Sequence, residues 1–439
     1  MEMYMKPKLS LTAAMSILLL AVAACSSFRP ATPLASPPGK PSTPPGSTPS
    51  ITLQPSPETQ TPTPEALATA TEEPTAWPTI EPQPAAPAHI PPGTHIQLDE
   101  IRMLSQTEGW GTSGPYILIT ADGGKTWREV GPGVTQVDKI YAAFLDMQTA
   151  WVVFSYAGNI GDKLLVYFTT DGGRTWTYNQ GPPVYLNVNG DSTWAQFAVL
   201  DARNLWVLVR GVFVGAGTHF THELFHSADG GLTWTSLDGE ISDDYTGMVF
   251  ADASHGLRTL QTIGFYESGP PAFDVTTDGG AVWEARQLPP PPEVPDLFNQ
   301  YPYCETYQPV LHSAQSIQML MGCFDYYSPP KKFTSYLYSS SDGGTTWTTV
   351  RLPAKVQASL DTFIYFDLNH ALLLGRDIYQ SADGGQTWSF VQTVNWDAQF
   401  TFVDPLHGWA VGGAPGEVAL PNTVNGGRNW ALIDPRIAP

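Results

Sequence analysis

An eight-residue turn recurs seven times in this chain, and no other feature restricts its fold as tightly. The first copy runs Thr120-Ala121-Asp122-Gly123-Gly124-Lys125-Thr126-Trp127. The others place Asp171 with Trp176, Asp229 with Trp234, Asp278 with Trp283, Asp342 with Trp347, Asp383 with Trp388, and Asn425 with Trp430. Each copy follows a short apolar run, such as Tyr116 to Ile119 or Leu164 to Phe168, and precedes another short segment, which is the pattern of a β-hairpin. An Asp in this position can accept hydrogen bonds from backbone N–H groups just beyond it, and the paired glycines can take positive φ without a Cβ clash. Each Trp then brings a packing face whose burial is worth about 2–3 kcal/mol.

A second signal lies upstream of most copies, at Trp110, Trp151, Trp206 and Trp409, often after an Asp such as Asp146, Asp201, Asp252, Asp367 or Asp404. The repeating unit therefore reads as four antiparallel strands, the blade of a β-propeller. The turn positions are 49, 58, 49, 64, 41 and 42 residues apart, and the span 94–439 allows about 49 residues per unit. The expectation is an all-β, seven-bladed β-propeller of four-stranded antiparallel blades, with a six-bladed or open ring as the alternative. The segment His95 to Leu98 is available to close the ring. Only 14% of residues are charged while Gly and Pro number 40 and 41, which suits strands and tight turns better than long helices.

Three regions precede or make up this domain: 1–25, 26–93 and 94–439. The first has Lys6 and Lys8, an apolar run from Ile17 to Ala24, and Cys25. Val22-Ala23-Ala24-Cys25 resembles the bacterial lipobox, which implies lipidation of Cys25 and removal of the leader; the apolar run is shorter than the roughly 20 residues that span a bilayer. An anchor of two or more acyl chains would hold the protein stably on the cell membrane or outer membrane, on its extracytoplasmic side. The second region holds 19 of the 41 prolines and little apolar periodicity, so it reads as a disordered Pro/Ser/Thr-rich stalk. Cys304 and Cys323 remain, 19 residues apart in an oxidising compartment, and are expected to form a disulfide rather than two buried thiols.

The seven turns, taken with Gly408-Trp409-Ala410-Val411-Gly412, resemble the Asp-box (BNR) repeat superfamily, and within it the photosystem II stability and assembly factor family of seven-bladed propellers. The resemblance covers 94–439 and implies the fold far more specifically than the function, because sialidases, xyloglucan-degrading enzymes and sortilin-type receptors share the repeat. It also implies that the box Asp residues are peripheral and structural. Photosystem assembly members are associated with an arginine-rich surface, whereas 94–439 carries 17 basic residues against 35 acidic ones. That balance repels phosphates and excludes nucleic acid as a partner.

Other motifs dissolve on inspection. His222-Glu223-Leu224-Phe225-His226 matches the zinc protease pattern, but that pattern needs a helix; on a strand at about 3.3 Å per residue the imidazoles lie roughly 13 Å apart. Gly109 to Gly114 fits a dinucleotide fingerprint without the helix that must follow it. The repeat turns are poor calcium loops, since Lys125, Arg174, Leu232 or Arg428 follows the glycine pair. No catalytic residue, metal ligand or cofactor is assigned. The longest insertion, between the fourth and fifth turns, carries Tyr301, Tyr303, Tyr326 and Tyr327 about the two cysteines, and is a candidate recognition protrusion, with packing of a long hairpin as the alternative. The reading is a membrane-anchored, non-catalytic binding or assembly scaffold with a protein or glycan partner at the cell envelope; the alternative is a glycoside hydrolase of sialidase or xyloglucanase type. Convergent, pKa-shifted carboxylates at one mouth of the central channel would favour the enzyme.

Overall fold

The computed structural model describes residues 83–84, 89–134, 137, 139–155, 165–180, 195–214, 219–237, 245–260, 270–325, 332–358, 360–414 and 417–439. Cys25, Tyr326 and Tyr327 lie outside the described residues. Seven four-stranded antiparallel sheets follow one another along the chain. They form blades 1 (100–129), 2 (139–180), 3 (195–236), 4 (245–287), 5 (303–351), 6 (362–393) and 7 (398–433) of a β-propeller. First strands of blades 1, 2, 3 and 7 surround a common central cavity, so the first strand of each blade is innermost.

Each blade buries apolar side chains on both faces, and seven hydrophobic clusters fill the seven interfaces. Trp110, Ile117, Ile140 and Trp176 join blades 1 and 2, for example, while Leu118, Trp127, Trp409 and Leu420 join blades 7 and 1 and complete the ring. Closure uses no exchanged strand, since every blade is made of consecutive strands. Instead Arg436–Ile437 pairs in parallel with Thr126–Glu129, the outermost strand of blade 1, and His95 bridges to Arg436. The segment His95 to Leu98 thus takes part in closure by clasping the C-terminal tail. Gln83–Pro84 pairs with Thr175–Gln180, the outer strand of blade 2, and His89 donates its N–H and presents its ring Nδ1 to the buried Glu129 carboxylate, both at 2.8 Å.

The two ends of the ring differ. Connections between first and second strands are five residues long in all seven blades, from 104–108 in blade 1 to 403–407 in blade 7. Their second residue caps the turn: Asp146 Oδ1 accepts the N–H groups of Gln148 and Thr149 at 2.7 Å, and Asp201, Asp252, Asp367 and Asp404 repeat the pattern. In blades 1 and 5 the hydroxyls of Ser105 and Ser313 take the place of the carboxylate. The Asp-Gly-Gly turns, between third and fourth strands, lie at this same end because antiparallel strands alternate direction. At the other end the connections between second and third strands range from two residues to eleven, and those between blades from four to fifteen.

The fifteen-residue connection, 288–302, is packed inward. It turns through the short helix Leu297–Gln300, buries Leu297 and Phe298 in the blade 4–5 cluster, and accepts a 2.8 Å hydrogen bond from the Tyr338 hydroxyl at the Pro289 carbonyl. Cys304 and Cys323 face each other across the first two strands of blade 5 and are joined by a disulfide, with Cα atoms 4.1 Å apart.

Candidate functional site

The repeat turns spend their carboxylates internally. Asp122 Oδ1 accepts the N–H groups of Lys125 and Thr126 at 3.1 and 2.9 Å, and its Oδ2 accepts the Thr126 hydroxyl at 2.7 Å. The Thr120 hydroxyl donates to Asp122 and accepts the N–H of Gly124. Both glycines are in the left-handed region, with φ of 78° and 91° in this turn and similar values in the other six, which is why no side chain replaces either. Asp171, Asp229, Asp278, Asp342 and Asp383 keep the pattern, with Val282 removing the hydroxyl donor from the fourth turn and Asn425 standing in for Asp in the seventh.

Those hydrogen bonds titrate. The Thr346 and Thr387 hydroxyls, followed by the same residues' N–H groups, hold Asp342 and Asp383 down to about 2. Because these folded-state values lie below the unfolded ones, the stabilisation is complete above about pH 4 and is lost as pH falls toward 2. Urea midpoints should therefore drop steeply below pH 4, where these carboxylates take up protons. A midpoint unchanged down to pH 2.5 would show that these turns contribute nothing to stability.

The turns are also inter-blade receptors. The first glycine's carbonyl accepts the indole N–H of the preceding blade's second-strand Trp: Trp151 to Gly230, Trp206 to Gly279 and Trp409 to Gly123, at 2.8–2.9 Å. Arg286 and Gln318 supply the donor to Gly343 and Gly384. The two sequence signals thus belong to neighbouring blades, a relation that spacing within one unit does not reveal. Exposure of the box tryptophans is graded: Trp127, Trp176 and Trp234 are buried, whereas Trp283, Trp347, Trp388 and Trp430 are half-buried.

At the variable end, a cleft of about 690 Å³ opens where the first strands of blades 6 and 7 begin. Three carboxylates face it. Asp361 is mostly buried, accepts the Gln357 N–H at 2.8 Å, and fits a notch left by Gly375, where a Cβ would stand 1.9 Å from its Oδ1. Burial pushes its pKa up, and the charges of Asp377 and Asp397 add to the shift against the Gln357 bond, bringing it to about 6. Asp377 is also driven up by burial, but Lys355 at 2.7 Å and the Thr393 hydroxyl at 2.5 Å together hold it below the ordinary carboxylate value. Asp397 is exposed and kept low by a two-pronged ion pair with Arg376, 2.7 Å at each contact. A carboxyl that takes up a proton near neutrality thus stands beside two that stay ionised, an arrangement suited to passing protons or holding polyhydroxyl ligands.

Gln308 of blade 5, with φ of 45°, braces the cleft. Its amide donates to the Asp361 carbonyl at 2.6 Å and accepts the Phe363 N–H at 2.7 Å, mimicking a strand partner between blades 5 and 6. Because the folded-state pKa of Asp361 is raised, its charge costs nothing below about pH 4 and the full amount above about pH 6. Asp361→Asn, which keeps the acceptor for Gln357, should stabilise the fold by about 2–3 kcal/mol at pH 7 and by nothing measurable at pH 4. Urea unfolding at the two pH values checks this; equal effects at both would show that Asp361 is not held against its charge.

The residues singled out in the sequence fall elsewhere. Tyr301 is half-buried against the blade 4–5 cluster, and Tyr303, also half-buried, begins the first strand of blade 5. His222 and His226 lie on His219–Ser227, the third strand of blade 3, with His222 buried and the His226 ring stacked on Trp206 at 4.5 Å. Asp361, Asp377 and Asp397 were not legible as a site, and Gly375-Arg376-Asp377 at a two-residue hairpin is the one local hint.

No family model matches the chain, and no curated protein matches it. Among solved structures, one described as YCF48 bound to D1 peptide is 16% identical, covering 81% of this chain and 99% of that one with a TM-score of 0.46. A puromycin-hydrolysing peptidase from Mycobacterium tuberculosis is 12% identical, covering 80% of this chain and 57% of that one with a TM-score of 0.52. A xyloglucanase from Xanthomonas campestris is 13% identical, covering 81% and 69%, with a TM-score of 0.34. At these identities the likeness is one of fold.

Proposed function

We propose that this chain is an extracytoplasmic binding propeller, held at the cell envelope by a lipid on Cys25, that engages a macromolecular partner through its variable end. The supporting observation is the contrast between the two ends of the ring. Turn length and turn chemistry repeat blade after blade at one end, whereas connection length is released from that uniformity at the other. A scaffold that keeps one end regular and varies the other places its specificity in the varied loops. The excess of 35 acidic over 17 basic residues in 94–439 favours a partner with a basic surface.

Affinity capture from the solubilised envelope of the source organism, using the full chain, tests this reading when two charge reversals are compared. Asp397→Lys alters the variable end and Glu108→Lys alters the regular end. A stoichiometric partner lost with the first and kept with the second supports the proposal. A partner lost equally with both, or with the second alone, overturns it.

The cleft around Asp361 supports a second reading, hydrolysis of a glycosidic bond, because one proton-holding and two ionised carboxyls are the groups that chemistry needs. In that case the full chain releases sugar from an envelope polysaccharide and Asp361→Asn abolishes the release. Absence of release by the unaltered protein removes the reading.

A further inference from the structure

The central cavity carries on its wall a cation with no partner among the described residues. It occupies about 400 Å³ and is lined by the first strands of blades 1, 2, 3 and 7. Arg102 of blade 1 is the one basic side chain on its wall among the described residues, in a chain with a formal charge of −20. Its guanidinium makes no hydrogen bond or ion pair among the described residues. Water in the channel reaches it, yet protein surrounds it closely enough that desolvation lowers its pKa. An arginine does not discharge in a protein, so the site carries an unrelieved positive charge.

A further group on the same wall has unused hydrogen-bonding capacity. Gln399 accepts the Ile101 N–H at 3.1 Å through its Oε1, and its amide nitrogen makes no bond among the described residues. Phe144, Phe197 and Phe400 supply apolar surface beside it. Glu100 is the group that opposes an anion here, and burial raises its pKa, with Asp99 adding to the shift and Lys139 countering it.

We propose that the central cavity binds a monocarboxylate with an apolar body, the carboxylate taken by Arg102 with the Gln399 amide, the body by the phenylalanines. A guanidinium fork and an amide N–H match the planar carboxylate, and the aromatic wall rejects a strongly hydrated inorganic ion. The ligand is either a free organic acid or the C-terminal carboxylate of a peptide. This site adjoins the Asp361 cleft, since Phe400 lines both, but it stands whichever reading of that cleft holds.

Calorimetric titration of the full chain tests the proposal with four probes: benzoate, methyl benzoate, acetyl-phenylalanine and its amide. Both carboxylates, or acetyl-phenylalanine alone, should bind, and neither neutral analogue should. Binding of benzoate points to a free acid, and binding of acetyl-phenylalanine alone points to a peptide terminus. Arg102→Gln should weaken binding by at least about tenfold, the loss of charge-assisted hydrogen bonds. Heat from neither carboxylate, equal binding of a neutral analogue, or undiminished binding by Arg102→Gln overturns it. If that variant does not fold, the comparison of carboxylate with ester and amide on the unaltered chain still decides.

Discussion

Replacing Asp274 with Ala should cost about 1.5–3 kcal/mol of stability, the range for a buried hydrogen bond to a charged group. Arg258 and Asp274 face each other on the second and third strands of blade 4, with Nε to Oδ2 at 2.8 Å and both side chains 8% exposed. The guanidinium also lies over the Tyr245 ring at 4.5 Å and the Trp283 ring at 4.2 Å, so it cannot swing into water without unpacking the blade 3–4 interface. Urea unfolding followed by circular dichroism measures the loss. The double variant Arg258→Met, Asp274→Leu should recover most of it, because a buried pair and an apolar replacement of similar volume are nearly equivalent. A loss below about 1 kcal/mol in Asp274→Ala would mean that the arginine finds water or another partner on the way to that state.

Trp127→Ala should cost more, about 3–5 kcal/mol, whereas Trp430→Ala should cost roughly half as much or less. The two residues occupy the same position in the same repeat. Trp127 is completely buried between blades 7 and 1, donates its indole N–H to the Gly124 carbonyl at 2.8 Å, and contributes to the cluster that closes the ring. Trp430 is half-buried at the edge of the blade 6–7 cluster. Alanine at 127 leaves a cavity that rigid neighbouring sheets cannot fill, while at 430 solvent fills part of the space. Parallel urea titrations of the two variants decide the matter, and equal losses would show that position in the repeat, not burial, sets the contribution.

The repeat, the blade count and the four-stranded unit could be read from the residues because their causes are local. Asp122 reaches only as far as Thr126, and Asp146 only as far as Thr149, so the hydrogen bonds that define each turn lie within a few residues of chain. Seven copies of such a turn at blade-length spacing leave little freedom in what the strands between them can build. The five Asp-headed turns were visible for the same reason, and Ser105 and Ser313 were missed because a hydroxyl does the carboxylate's work with a weaker signature.

What the tertiary structure alone decided is made across blades. Lys355 meets Asp377, and Arg376 meets Asp397, through connections that enter the cleft from different blades; Arg102 shares its cavity with Gln399 of blade 7. Closure of the ring at Trp409 and Gly123, the clasp of His95 and Arg436, and the graded burial of seven equivalent tryptophans are of the same kind. Sequence separation carries no distance once a chain is wound into a ring, so groups that act together leave no shared spacing behind. Local hydrogen bonding wrote the fold into the sequence, while the sites depend on which blades the closed ring makes neighbours.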